Sequence, residues 1–201
     1  MQLRSRLAVM VAMCGLSIAS HASSTTLPAP NVEYSADRVI ETSSGTFTGK
    51  VFSAKDKERA EMNMGGMQSV MILRRDKQLG WMLMPAQKMY MTMDFAKAQQ
   101  QSGAAPNDQV EITEVGTESI EGVSAKKFKM LMKDGSGGGF IWITEQGIPM
   151  KMDMLSKSGG EKSRMTVTLK NLKIGSQDTQ LFDVPNGFTA MPSMGNLGMR
   201  P

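Results

Sequence analysis

The chain has 201 residues, 40% of them hydrophobic and 21% charged, with a formal charge of +4. Its single cysteine, Cys14, and single histidine, His21, both fall within the first 22 residues. The rest of the chain therefore has no disulfide framework, thiol nucleophile or imidazole, and a fold of this length must be held by its core.

The N-terminus reads as an export signal. Arg4 and Arg6 precede the apolar run LAVMVAMCGLSIA, and Ser20-His21-Ala22 places small residues where a signal peptidase cuts. Met13 before Cys14 departs from the lipoprotein cleavage pattern, so a soluble periplasmic chain beginning at Ser23 is expected. Removing residues 1–22 leaves 21 basic and 19 acidic side chains, a net charge of +2. That charge is too weak to argue for a nucleic-acid partner, and no compact stretch interleaves Lys or Arg with aromatics. Nor is any later apolar segment long enough to span a membrane as a helix.

Residues 23–30, SSTTLPAP, read as a flexible leader. From Asn31 the pattern has period two. VEYSADRVIE, GTFTGKVFSA, RAEMNM, QSVMILRR, LGWMLM and KMYMTM are separated by turn residues, as in an antiparallel meander. DFAKAQQQSGAAPND, 94–108, breaks the rhythm, and Asp94 is placed to cap a short helix over FAKAQQQ. QVEITEVGTESIEG, SAKKFKMLMKD, FIWITEQG, IPMKMDML and EKSRMTVTLKNLKIG resume the strands, with GSGGG read as flexible. TQLF suggests a turn of helix, Phe188 an aromatic anchor, and residues 191–201 a frayed tail. One domain over 31–190 accounts for the pattern.

Strand alternation sorts the methionines. Met62 and Met64, Met82 and Met84, Met89, Met91 and Met93, Met130 and Met132, and Met150, Met152 and Met154 are in phase on five segments. These twelve are expected to share one sheet face, and three readings of that face stand. It is a packed core, a surface that re-packs around variable apolar ligands, or a soft thioether site for Cu(I). Copper sites commonly recruit Cys or His, which this part of the chain lacks, so no metal or other cofactor is assigned. Met191, Met194 and Met199 are the candidates for an exposed copper contact. A purely structural protein would instead associate through its apolar face, as a dimer.

Trp81 and Leu83 lie opposite Met82 and Met84, marking a central strand with residues 94–102 or the leader packed behind it. Trp142 shares an alternating face with Phe140 and Thr144. Glu111, Glu114, Glu118 and Glu121 read as a solvated edge, and Asp76-Lys77 as a hairpin turn. With no Gly-x-Ser-x-Gly, His-Glu-x-x-His or phosphate-cradling glycine loop, the sequence points away from an enzyme.

Several pieces recur in a familiar order. They are Arg74-Arg75-Asp76-Lys77 before Leu79-Gly80-Trp81, Pro85 into Lys88-Met89-Tyr90-Met91, Gly116-Thr117-Glu118, and Ile120-Glu121-Gly122 before Lys127-Phe128. Phe140-Ile141-Trp142-Ile143-Thr144, Ile148-Pro149-Met150-Lys151-Met152, and Leu181-Phe182-Asp183-Val184-Pro185 with Gly187-Phe188 follow. Over roughly 32–190 the chain resembles the LolA/LolB-like superfamily, especially its outer-membrane lipoprotein-sorting-protein-like branch. The resemblance implies a mainly β (α+β) fold. Its strongly curved antiparallel sheet would form an incomplete barrel with short covering helices, and the concave side would receive acyl chains or another hydrophobic ligand. Under that reading the twelve methionines line the concave face, and a membrane-associated donor or acceptor protein is a further candidate partner. Lys88, Lys129 and Lys151 are candidates for a polar rim meeting a phosphate, although they point to the other face. The chain would act as a monomer or homodimer.

Overall fold

The computed structural model describes residues 26–95, 109–158 and 161–191. They form one twelve-stranded sheet. In chain order the strands are β1 (Tyr34–Thr42), β2 (Gly45–Ala54), β3 (Lys57–Met64), β4 (Met67–Arg74), β5 (Leu79–Met84) and β6 (Met89–Asp94). β7 (Val110–Ile120), β8 (Val123–Met132), β9 (Gly137–Ile143), β10 (Pro149–Ser158), β11 (Glu161–Ile174) and β12 (Thr189–Ala190) complete it. Their spatial order is β12-β6-β5-β4-β3-β2-β1-β11-β10-β9-β8-β7.

The turns follow from local chemistry. Gly65 and Gly66 have φ of 60° and 95° between the paired Met64 and Met67, and Glu121 and Gly122 have 50° and 79° between Ile120 and Val123. Two consecutive positive φ values match the right-handed strand twist and keep these hairpins tight. The Asn63 side chain accepts from the Gly66 amide at 3.1 Å. The expected Asp76-Lys77 turn is a short 3-10 turn, Arg75–Lys77, closed by left-handed Gln78.

The sheet corrects the expected architecture. It is open rather than an incomplete barrel, is not strongly curled, and is mixed, because β12 pairs with β6 in parallel. Apart from Phe95, which is helical, the helical elements among the described residues are short 3-10 turns. Residues 96–108, which include most of the expected helix over FAKAQQQ, lie outside the described residues, as do the expected signal peptide and all but Met191 of the tail. No helix among the described residues is long and apolar enough to cross a membrane.

The core shows why one concave side is the wrong picture: apolar side chains are buried on both faces. On one face Tyr34, Ala36, Val51, Ile148, Met150 and Leu169 pack together, and a neighbouring cluster joins Val110, Ile112, Phe128, Ile141 and Ile143. On the other face Val70, Ile72 and Leu83 pack against Phe182, with Phe52, Trp81, Tyr90 and Phe188 around them. A sheet that must cover both sides gains less by curling toward one.

Among the described residues, the layer behind Trp81 and Leu83 is the C-terminal segment rather than the leader, while residues 96–102, the other expected cover, lie outside the described residues. The expected helical turn over TQLF is a 3-10 turn, Thr179–Phe182, whose first amides are capped by Asp178. Buried Arg74 secures it, donating to the Phe182 carbonyl at 3.2 Å, to the Asp183 carboxylate, and through two hydrogen bonds of 2.7 and 2.8 Å to Asp76. Arg59 adds a bond to the Leu181 carbonyl at 3.1 Å. The leader is anchored at its end, where the Asn31 amide donates to the Gln146 carbonyl and Leu27 packs against the second cluster.

Candidate functional site: a methionine-lined sheet face

Directly paired residues share a face, so the register tests whether the methionines come together. Met82 lies between Met71 and Met91, Met84 faces Met89, and Gly80 separates Leu73 from Met93. Met64 faces Met67, and Met62 lies beside Gly49, which faces Arg38 and, through it, Leu169. On the far half Met154 faces Met165, Met152 lies between Val167 and Ile141, and Met130 lies between Ile112 and Gly139, with Met132 beside Val110. Ile40 connects the halves, between Phe47 and Val167. The register thus places eleven of the twelve expected methionines on one face, and Met150, at an irregularity of β10, joins them through its packing against Ala36 and Val51.

They are not equivalent there. Met150 and Met93 are buried at 1% and 9% exposure, as core residues are, whereas Met64 and Met91 are 39% and 43% exposed. Met62, Met82, Met84, Met89, Met130, Met132, Met152 and Met154 are half-buried. Leu27 packs near Met130, Met132 and Met152, so the barer stretch runs over β3 to β6.

The sequence reading missed three members of this face, Met67, Met71 and Met165. Met67 follows the glycine turn and is 71% exposed, and Met71 sits inside VMIL, where apolar residues on both sides hide the period. It also missed Arg38, which alternation in SADRVIE places on the methionine face. Its Nε is buried and has no hydrogen-bond partner among the described residues.

Glycines shape the face as well. Gly49 stands where a Cβ would strike the Glu61 carbonyl, and Gly139, between Met130 and Met154, where it would strike the Asp153 carbonyl. The GSGGG run read as flexible thus supplies β9 with close strand contacts and a shallow gap between methionines.

Of the other predicted polar groups, Lys151 lies on the opposite face, whereas Glu114, directly paired with buried Phe128, falls at the β7 edge of this one. Lys151 sits over the Trp142 ring at 5.1 Å, with Lys127 over the same ring at 5.0 Å and over Phe140 at 4.7 Å. Trp142 donates its indole N–H to Glu118 at 2.8 Å, and Lys127 lies 2.7 Å from the same carboxylate. The Lys127 and Trp142 hydrogen bonds hold the Glu118 carboxyl below its ordinary range. Glu114 pairs with Lys126, and Glu121, in the turn after β7, pairs with Lys170, so these two carboxylates are exposed and ion-paired. Lys88 and Lys129 are exposed, Lys88 as the left-handed residue closing a 3-10 turn. No group of three or more His, Cys, Asp or Glu side chains among the described residues could hold a metal.

Residues 39–147 match the family described as a domain of unknown function, DUF4412. No curated protein matches the chain. Among solved structures, an uncharacterized conserved protein from Thermus thermophilus superposes with a TM-score of 0.54 at 12% identity, over 80% of this chain and 90% of that one. MucB superposes with a TM-score of 0.51 at 12% identity, over 79% of this chain and 59% of MucB. The Pseudomonas aeruginosa MucA/MucB complex gives 0.49 at 16% identity, over 76% of this chain and 56% of the matched one. The chain thus spans little more than half the length of these MucB structures. At this identity the likeness is one of fold: the chain shares the fold of MucB and of the Thermus thermophilus protein.

Proposed function

The chain belongs to the DUF4412 family, and we propose that it is a periplasmic, non-enzymatic binding protein. On this reading its methionine face holds the acyl chains of a lipid or lipoprotein, or another hydrophobic ligand. One observation carries the proposal: methionines from seven strands, β3, β4, β5, β6, β8, β10 and β11, share a single sheet face, and several stay exposed. Ordinary strands fill a core with Val, Ile and Phe, whose stiffer side chains specify one packing. Methionine re-packs easily and suits a surface that meets chains of differing shape. Exposed apolar side chains gathered in one place mark an interaction surface.

The energetics are sufficient. Apolar burial contributes about 0.8 kcal/mol per methylene, so a single long chain laid on the face gives useful affinity without directional contacts. Such contacts select for chain rather than for headgroup. Loading and unloading would fall to a membrane-associated donor or acceptor protein. The export-type N-terminus read from the sequence supports the periplasmic setting.

Titration with a fluorescent fatty-acid analogue tests the reading. Saturable binding that weakens when Met64 and Met91 are changed together to Ser is the expected result. Absence of binding by the folded wild-type chain would remove the proposal, and a dimer forming through the same face would explain the exposed methionines instead.

A further inference from the structure

Arg38 is the charged residue at the middle of an apolar surface. On β1 it is flanked along its strand by Ala36 and Ile40 and across the sheet by Leu169 and Gly49. No ion pair or hydrogen bond to its side chain forms among the described residues, and its Nε is shielded from solvent. Leaving a guanidinium part-buried and unpaired is costly, and a guanidinium stays charged at any physiological pH.

The nearby groups that could neutralise it are committed elsewhere. Glu58, the nearest acidic influence, lies 3.4 Å from Arg75 and outside ion-pair reach of Arg38. Tyr34 is buried, and burial pushes its phenol up, so it stays neutral. Asp37 and Glu61 lie on the opposite face, where Asp37 accepts from Asn171 at 2.7 Å and Glu61 pairs with Arg59 at 2.7 Å. Burial pulls the Arg38 guanidinium below its ordinary value, with Glu58 and Tyr34 opposing this without contact.

Beside Arg38, Gly49 leaves the face without a side chain, and beyond it Met62 begins the barer methionine stretch. From β2 to β6 is four strand spacings, roughly 19 Å at about 4.8 Å each, close to the span of an extended long acyl chain. We propose that Arg38 is a headgroup subsite, its planar fork taking the carboxylate of a long-chain fatty acid whose chain lies across the methionines of β3 to β6. The inference rests on the methionine face being an apolar-ligand site and adds to it a preference for an acid over its neutral counterpart. A bidentate guanidinium–carboxylate pair is well matched in geometry and is strengthened by apolar surroundings.

The experiment compares dodecanoate, dodecan-1-ol and dodecyl phosphate by calorimetry on the wild-type chain and on Arg38→Met and Arg38→Lys, with thermal melts to confirm folding. The expected result is dodecanoate binding about 10- to 100-fold tighter than the alcohol, with that preference abolished in R38M, partly kept in R38K, and alcohol binding unchanged in both. Equal affinity of wild type for acid and alcohol would overturn the subsite while leaving the methionine face as a ligand site. Binding of none of the three would overturn both. Binding of the phosphate but not the carboxylate would assign Arg38 to a phospholipid-type headgroup and overturn the carboxylate proposal.

Discussion

Replacing Met91 by Asp separates ligand contact from packing, because Met91 is 43% exposed on the methionine face while its strand neighbour Met93 is only 9% exposed. At position 91 the new carboxylate keeps its water in the unliganded protein, so folding stability should change by within about 1 kcal/mol. A bound acyl chain that covers position 91 loses contact with about two methylenes, roughly 1.6 kcal/mol. It also strips water from a carboxylate left without a partner, a further 1–3 kcal/mol or so. Together these weaken binding by about a hundredfold or more. At position 93 the same substitution buries the carboxylate in the folded protein itself and should destabilise it by roughly 2–7 kcal/mol. Paired titrations with a fluorescent fatty-acid analogue and urea melts read both effects. A folded Met91→Asp protein that binds like wild type would refute the assignment of this stretch to ligand.

Other perturbations test the surrounding structure. Phe182→Ala removes the 1%-exposed ring that caps Val70, Ile72 and Leu83, and should cost about 3–5 kcal/mol in a denaturant melt. An unchanged midpoint would show that the C-terminal segment does not seal that face. Gly139→Val should lower the melting temperature, because any Cβ there strikes the Asp153 carbonyl. Hydrogen bonds from Arg74 hold the Asp76 carboxyl down at about 2, below its ordinary value of 3.8. A depressed carboxyl contributes stability that is present above its unfolded pKa and lost as pH falls through the folded one. The Arg74–Asp76 contribution should therefore fade between about pH 4 and pH 2, and Asp76→Asn should flatten that part of the stability profile. A mutant profile as steep as wild type there would count against the pairing.

Alternation made most strands legible, since it requires only that one face meet a different environment from the other. The same rule put the twelve methionines on one face from spacing alone, because most of their segments alternate with mainly polar residues, the exception being β5, where Trp81 and Leu83 lie opposite. It failed at Met71, where Val70 and Ile72 bury the opposite face as well and erase the contrast. Curvature was not readable, because alternation says which way a side chain points and nothing about how far the sheet bends. The covering segment was also hidden. Arg74 and Phe182 meet across 108 residues, and the local pattern of LFDVPNGF carries no address for Arg74. Arg38 was missed for a related reason: a charged residue in a strand reads as solvated unless the register reveals apolar neighbours on both sides.

The central claim is that the methionine face holds an apolar chain. Native mass spectrometry of the protein after incubation with a membrane lipid extract, without detergent and beside a denatured control, tests it most directly. The wild-type chain should carry a noncovalent adduct of lipid-like mass that is lost on denaturation and reduced by Met91→Asp. A chain that stays bare under these conditions, or that gains only copper-sized increments, would contradict it.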